Sequence, residues 1–188
     1  QVLSLLKPVL EREFGWSEID YSNIVMAFSA SYAVGYLVFG RIVDWVGTKA
    51  GYAVSVFFWS MAAIGHAFVR TTGGFAFMRA FLGISEAGNF PTAIKATAEW
   101  FPKRERAFAA GIFNSGTNIG AVVAPLVVPW ILGIYGWEEA FIWTGCLGFI
   151  WLIFWLVFYE IPARQKRLSK AEYDHIHSDE DEKLEEVK

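Results

Sequence analysis

Arg79 and Glu86 stand seven residues apart inside a stretch, residues 75–94, that is otherwise uncharged. Ionisable groups at hydrocarbon depth are costly and mark pathways or sites. Seven residues is nearly two helical turns, so both side chains share one helix face and lie roughly 10 Å apart along the axis. A guanidinium stays protonated when desolvated and grips a carboxylate through two parallel hydrogen bonds. A carboxyl such as Glu86 takes up or releases a proton according to the wetness and occupancy of its surroundings, which suits proton coupling. The structural alternative is an ion pair that ties helices together. Gly83, Gly88 and Pro91 fit either reading, because small residues let helices approach and proline bends the axis.

A second polar set follows. Asn114, Ser115, Thr117 and Asn118 form a patch at helical spacing, with Gly111, Gly116 and Gly120 beside it and Pro125 beyond. It could hold the hydroxyls of a polar solute or hydrogen-bond another helix. Tyr32 reads as an interfacial or packing residue by type alone. The run Gly40 to Lys49 places two glycines, Gly40 and Gly47, around Asp44, with Lys49 after them, and reads as a tight turn between helices.

Five uncharged or nearly uncharged stretches must position these residues: 21–40, 51–69, 75–94, 107–137 and 140–159. Each can cross roughly 30 Å of hydrocarbon, which takes about 20 helical residues. Residues 150–158 show no strand-like alternation, so the class is all-α, a polytopic helical bundle, and not a β-barrel. Val2, Leu3, Leu5, Leu6, Val9 and Leu10 read as the end of a further apolar helix. With 55% hydrophobic residues and a mean hydropathy of +0.36, the 188-residue chain is too apolar to hide in one aqueous core. Trp137, Trp143, Trp155 and Tyr159 read as interfacial aromatics, and Cys146, the lone cysteine, as a packing residue.

Charge sets the orientation. If the loop after residue 40 is cytoplasmic, that side collects Arg41, Lys49, Lys95, Lys103, Arg104, Arg106, Arg164, Lys166, Arg167 and Lys170, against Lys7, Arg12 and Arg70 opposite. The basic side is retained in the cytoplasm. The acidic residues crowd into 11–20 and 172–186, so nucleic acid is not an expected partner. Residues 1–160 form the membrane unit and 161–188 a partly disordered cytoplasmic segment, opened by the Pro162 break and a capping box from Ser169 to Glu172. Asp174, His175, His177 and Asp179 read as a hydrated tail, and no metal or other cofactor is expected. No nucleophile and base stand together, which argues against an enzyme.

The loop resembles the signature of the major facilitator superfamily, Gly-x-x-x-Asp-Arg-x-Gly-Arg-Lys: Gly40, Asp44, Gly47 and Lys49 match, and Trp45 replaces the usual arginine. The run from Arg79 to Pro91 resembles the fourth helix of the anion:cation symporter branch, supported by Trp100-Phe101-Pro102, Glu105-Arg106, Asn114-Ser115-Gly116 and Leu168-Ser169 with Glu172. Residues 1–8 and 23–25 are most similar to bacterial hexuronate carriers.

The resemblance implies the N-terminal half of a twelve-helix fold, beginning late in the first helix and unable to transport by itself. It implies a bacterial inner-membrane symporter of a proton and a sugar acid, glucuronate or galacturonate. Arg79 would support the anion site, Glu86 would carry the proton, Tyr32 and Thr117 would face the substrate, and the Gly40–Asp44–Gly47–Lys49 loop would gate. An Asp-Arg pair closing the first helix would stand just before Gln1. Its expected partners are the organic anion, the proton, the bilayer and a C-terminal half of the same chain. Rival readings are a carrier of another organic anion, such as an aldonate, tartrate or an aromatic acid, and a non-transporting scaffold or sensor.

Overall fold

The computed structural model describes residues 1–178, and all regular structure among them is helical. In chain order the helices are α1 (Val2–Phe14), α2 (Glu18–Val46), α3 (Thr48–Gly65), α4 (Thr72–Glu86), α5 (Asn89–Trp100), α6 (Lys103–Tyr135), α7 (Trp137–Phe158) and α8 (Lys170–Ile176), with short 3-10 turns at His66–Phe68 and Pro162–Arg164. Among the described residues four helices can cross a bilayer by length and composition: Glu18–Val46, Thr48–Phe68, Lys103–Tyr135 and Trp137–Phe158. Large apolar side chains cover their outer surfaces, Leu37 being 78% exposed and Leu126 72%. Such a surface suits a hydrocarbon solvent.

The third expected span is not one helix. It divides into α4 and α5 at Ala87 and Gly88, whose backbone angles remain near helical. Pro91 supplies the reason, because it has no N–H to donate four residues back and its ring crowds that carbonyl.

The turn after α2 is also tighter than its glycines imply. Helix α2 continues through Gly40 and Asp44 to Val46, and Gly47 alone (φ 84°, ψ 162°) reverses the chain into α3. That backbone region is essentially closed to residues with a Cβ. Gly47→Ala should cost about 1–3 kcal/mol, seen as a lower thermal midpoint.

Two cores hold the bundle. Leu3, Leu6 and Leu10 make an apolar seam on α1, which packs with Trp16, Phe75, Val128, Ile131, Trp137 and Phe141 at one end. The loops at that end meet there: Arg70 pairs with Glu138 at 3.2 Å and lies 4.9 Å over the Trp137 ring. Trp137 is therefore a core residue, only 3% exposed, and not an interfacial one. Cys146 likewise departs from expectation. It is exposed on α7, because that helix is apolar all round and buries only a stripe containing Gly145, Gly148 and Leu152.

The second core is the close seam between α2 and α4. A Cβ on Gly83 would sit 2.5 Å from the Phe28 carbonyl oxygen, and one on Gly35 would sit 3.0 Å from the Ile84 carbonyl oxygen. Helices reach this separation only through glycine. Gly83→Val should cost about 1–3 kcal/mol by overpacking and displace Arg79 and Glu86 from α2, which thermal unfolding would register.

Past α7, the capping box forms as expected: Ser169 Oγ accepts from the Glu172 N–H, while Glu172 accepts from the Ser169 N–H at 2.9 Å and its hydroxyl at 2.8 Å. Those bonds, the backbone one first, hold the Glu172 carboxyl below its ordinary value. The stabilisation is complete above the unfolded value of about 4.3 and is lost as pH falls through the lower folded value. Hydrogen exchange at residues 170–173 should accelerate on that acid side. Asp179 and residues 180–188, which carry the rest of the expected acidic tail, lie outside the described residues.

Candidate functional site

Helix α4 presents Arg79 and Glu86 on one face, against α2. Arg79 is 9% exposed, its guanidinium lies 5.9 Å over the Phe28 ring, and its Nε has no hydrogen-bond partner. Glu86 is half-buried. Among the described residues no ion pair within 4 Å joins the two side chains or pairs either with another residue. They are near enough to feel each other's charge yet do not close into the helix-tying bridge that was the structural alternative. Each keeps its bonding capacity: five-donor fork in one case, carboxyl oxygens in the other.

Tyr32 joins them from α2. It is half-buried, senses the Glu86 charge and stands in an aromatic row, 5.7 Å from Phe28 and 6.4 Å from Tyr36 between ring centroids. The row continues from Tyr36 to Phe90 at 6.2 Å and from Phe90 to Phe113 at 6.5 Å. Phe28 and Tyr36 were not anticipated from sequence, although the four-residue spacing of Phe28, Tyr32 and Tyr36 is a readable helical face.

Asn114 and Thr117 lie on α6 and are exposed. Neither joins the Arg79–Glu86–Tyr32 group by a hydrogen bond, and Ser115 bonds only within its own helix, its hydroxyl donating to the Ile112 carbonyl at 2.6 Å. The patch reaches the site through its neighbour Phe113, the end of the aromatic row.

The Gly40–Lys49 segment lies at the opposite end from Trp137 and is bound to α5 and to the end of α7. Asp44 pairs with Lys95 at 2.9 Å, and Lys95 also donates to the Val43 carbonyl at 3.1 Å. Lys49 pairs with Glu160 at 3.0 Å and so holds that carboxyl below its ordinary range. Glu99 accepts from Thr48 at 2.6 Å and from Tyr159 at 2.7 Å. Gly40 sits within α2 with open space where a Cβ would be, and Trp45, which stands in the arginine position of the resembled motif, is 90% exposed. Lys95, Glu99 and Glu160 were legible only as span-end charges; their pairing needed the fold.

A cleft of about 350 Å³ lies nearby, lined by residues of α3, α5, α6 and α7 that include Tyr52, Thr92, Trp100, Phe113 and Trp155. Neither Arg79 nor Glu86 borders it. It is apolar and offers no charge to an anion.

Comparison with known proteins identifies the family. The chain is 42% identical over 169 residues to the Hexuronate transporter of Escherichia coli K12, covering 90% of this chain and 39% of that protein. It is 40% identical over 169 residues to the Galacturonate transporter of Dickeya chrysanthemi, covering 90% and 49%. The D-galactonate transporter of Escherichia coli CFT073 is 34% identical over 175 residues, covering 93% and 40%. The chain thus spans between about two-fifths and half the length of these relatives, all named as transporters and none as an enzyme. Among solved structures, a bacterial homologue of the human lysosomal transporter Spinster, inward-facing and occupied, superposes with a TM-score of 0.64 at 18% identity, covering 86% of this chain and 40% of that one. The Major Facilitator Superfamily description matches residues 1–179. This multi-pass membrane chain, with its divided third expected span and its unpaired Arg79 and Glu86 on one helix face, belongs to the Major Facilitator Superfamily.

Proposed function

We propose that residues 1–160 form the N-terminal half of a proton-coupled symporter that brings a hexuronate, glucuronate or galacturonate, across a bacterial inner membrane, with residues 161–188 in the cytoplasm. The observation that carries this reading is the placing of Arg79 and Glu86 on one buried face of α4, unpaired and beside Tyr32. A fixed cation with its donors free suits a carboxylate, and an adjacent carboxyl suits a proton. Kinship with carriers named for hexuronate and galacturonate supports the sugar acid.

In the proposed cycle Glu86 takes a proton from outside. The substrate carboxylate then docks at Arg79, its hydroxyls meeting Tyr32, Asn114 and Thr117. The Gly40, Asp44, Gly47 and Lys49 segment opens its ties as this half rocks against a C-terminal half, and anion and proton leave inward. Alternating access of this kind needs both halves.

A second reading, an aldonate carrier on the same site, is favoured by the 34% identity to the D-galactonate transporter. Uptake by the complete protein in vesicles, with a panel of uronates and aldonates at two external pH values, tests both. Faster uronate uptake at the acid pH is expected. Absence of pH-driven uptake for every sugar acid in the panel overturns the proposal.

A further inference from the structure

His66 is fully buried where α3 meets its terminal 3-10 turn. Its Nδ1 lies 2.6 Å from the Ala62 carbonyl oxygen. A carbonyl only accepts, so Nδ1 carries the proton, and in the neutral ring Nε2 is left as an acceptor. That Nε2 has no partner. The only buried donor without a partner on α4 is Arg79 Nε.

The packing sets the elements that carry these two groups side by side. The His66 ring stacks on Phe141 at 4.9 Å and meets Phe75 edge-on at 5.9 Å. Phe75 is one turn before Arg79 on the same face of α4. Side chains on a helix lean toward its N-terminus, so the Arg79 stem runs back over the Phe75 turn. Gly65 brings the two elements together, since a Cβ there would sit 2.7 Å from Met78 Sδ. The guanidinium charge is felt at the His66 ring.

We propose that His66 is a positioning residue for Arg79: its free Nε2 accepts from the arginine side chain through one bound water and holds the guanidinium extended along α4. Such a hold would keep the fork aimed when no anion occupies it and prevent it from folding onto Glu86. The proposal rests on the assignment of Arg79 to the anion site, but its first test needs no substrate.

The test is a double-mutant cycle of thermal unfolding on the complete protein in detergent, with His66→Phe, Arg79→Gln and both together. The expected non-additivity is about 2 °C or more. His66→Gln, which retains an acceptor oxygen near the Nε2 position, should stay coupled to Arg79. In uptake assays His66→Phe should raise KM for the anion roughly threefold to tenfold at nearly unchanged kcat, and His66→Gln should restore it. Additive melting shifts overturn the proposal, as does coupling without any KM change where uptake is measurable, since that is the mark of packing alone. A coupled cycle in a protein that takes up no sugar acid would remove the transport reading and leave the His66–Arg79 contact standing. If His66→Phe does not fold, ¹⁵N NMR of the ring decides: a shift of the His66 Nε2 resonance in Arg79→Gln supports the contact, and an unmoved resonance overturns it.

Discussion

Replacing Arg79 by glutamine should lower sugar-acid uptake by the complete protein roughly 30-fold to several thousand-fold, the equivalent of about 2–5 kcal/mol for removing one partner of a desolvated charge contact. The guanidinium is buried and spends none of its charge on an internal ion pair. Beyond the contact with the Phe28 ring, its cost in the membrane is offset by what it binds. Arg79→Lys keeps the charge but loses the planar fork, and should fall between wild type and glutamine. The melting temperature separates this from damage to the fold: strong loss of uptake with a midpoint near wild type is the expected pattern. Near-normal uptake by Arg79→Gln would move the anion site elsewhere.

Replacing Glu86 by glutamine should uncouple transport from the pH gradient while sparing exchange. For each coupled proton, a one-unit gradient sustains at most about a tenfold accumulation of the anion. Glutamine cannot release a proton, so that ratio should fall to one, whereas counterflow of labelled against unlabelled substrate continues. Glu86 lies on the same α4 face as Arg79, in reach of its field but outside ion-pair distance. The two roles should thus separate by mutation, with affinity following Arg79 and gradient dependence following Glu86. Gradient-driven accumulation persisting in Glu86→Gln would assign the proton to another group.

Much of the architecture was legible because a bilayer imposes simple rules. Charge exclusion over about 20 residues marks a crossing, and the sites of Arg79 and Glu86 stand out because almost everything around them is apolar. The split of loop charges likewise matches the fold: Arg70 and Glu138 gather at one end, Asp44, Lys49 and Lys95 at the other. The breaking of the third crossing was less legible. Pro91 announces a bend, but whether the helix kinks or divides depends on neighbours that accept or fill the gap.

Alone, the sequence determined the solvent of this protein, its all-helical class and the stretches from which charge is excluded, since each follows from composition along a single helix. Only the tertiary structure decided that Arg79 and Glu86 stay unpaired, that Tyr32 stands beside them, that Trp137 is core and Cys146 surface, and that His66 is buried against Phe75 and Phe141. Those outcomes depend on which faces of different helices meet. Small residues such as Gly35, Gly65 and Gly83 set those meetings through close approach, and the spacing between helices is not written in any one of them.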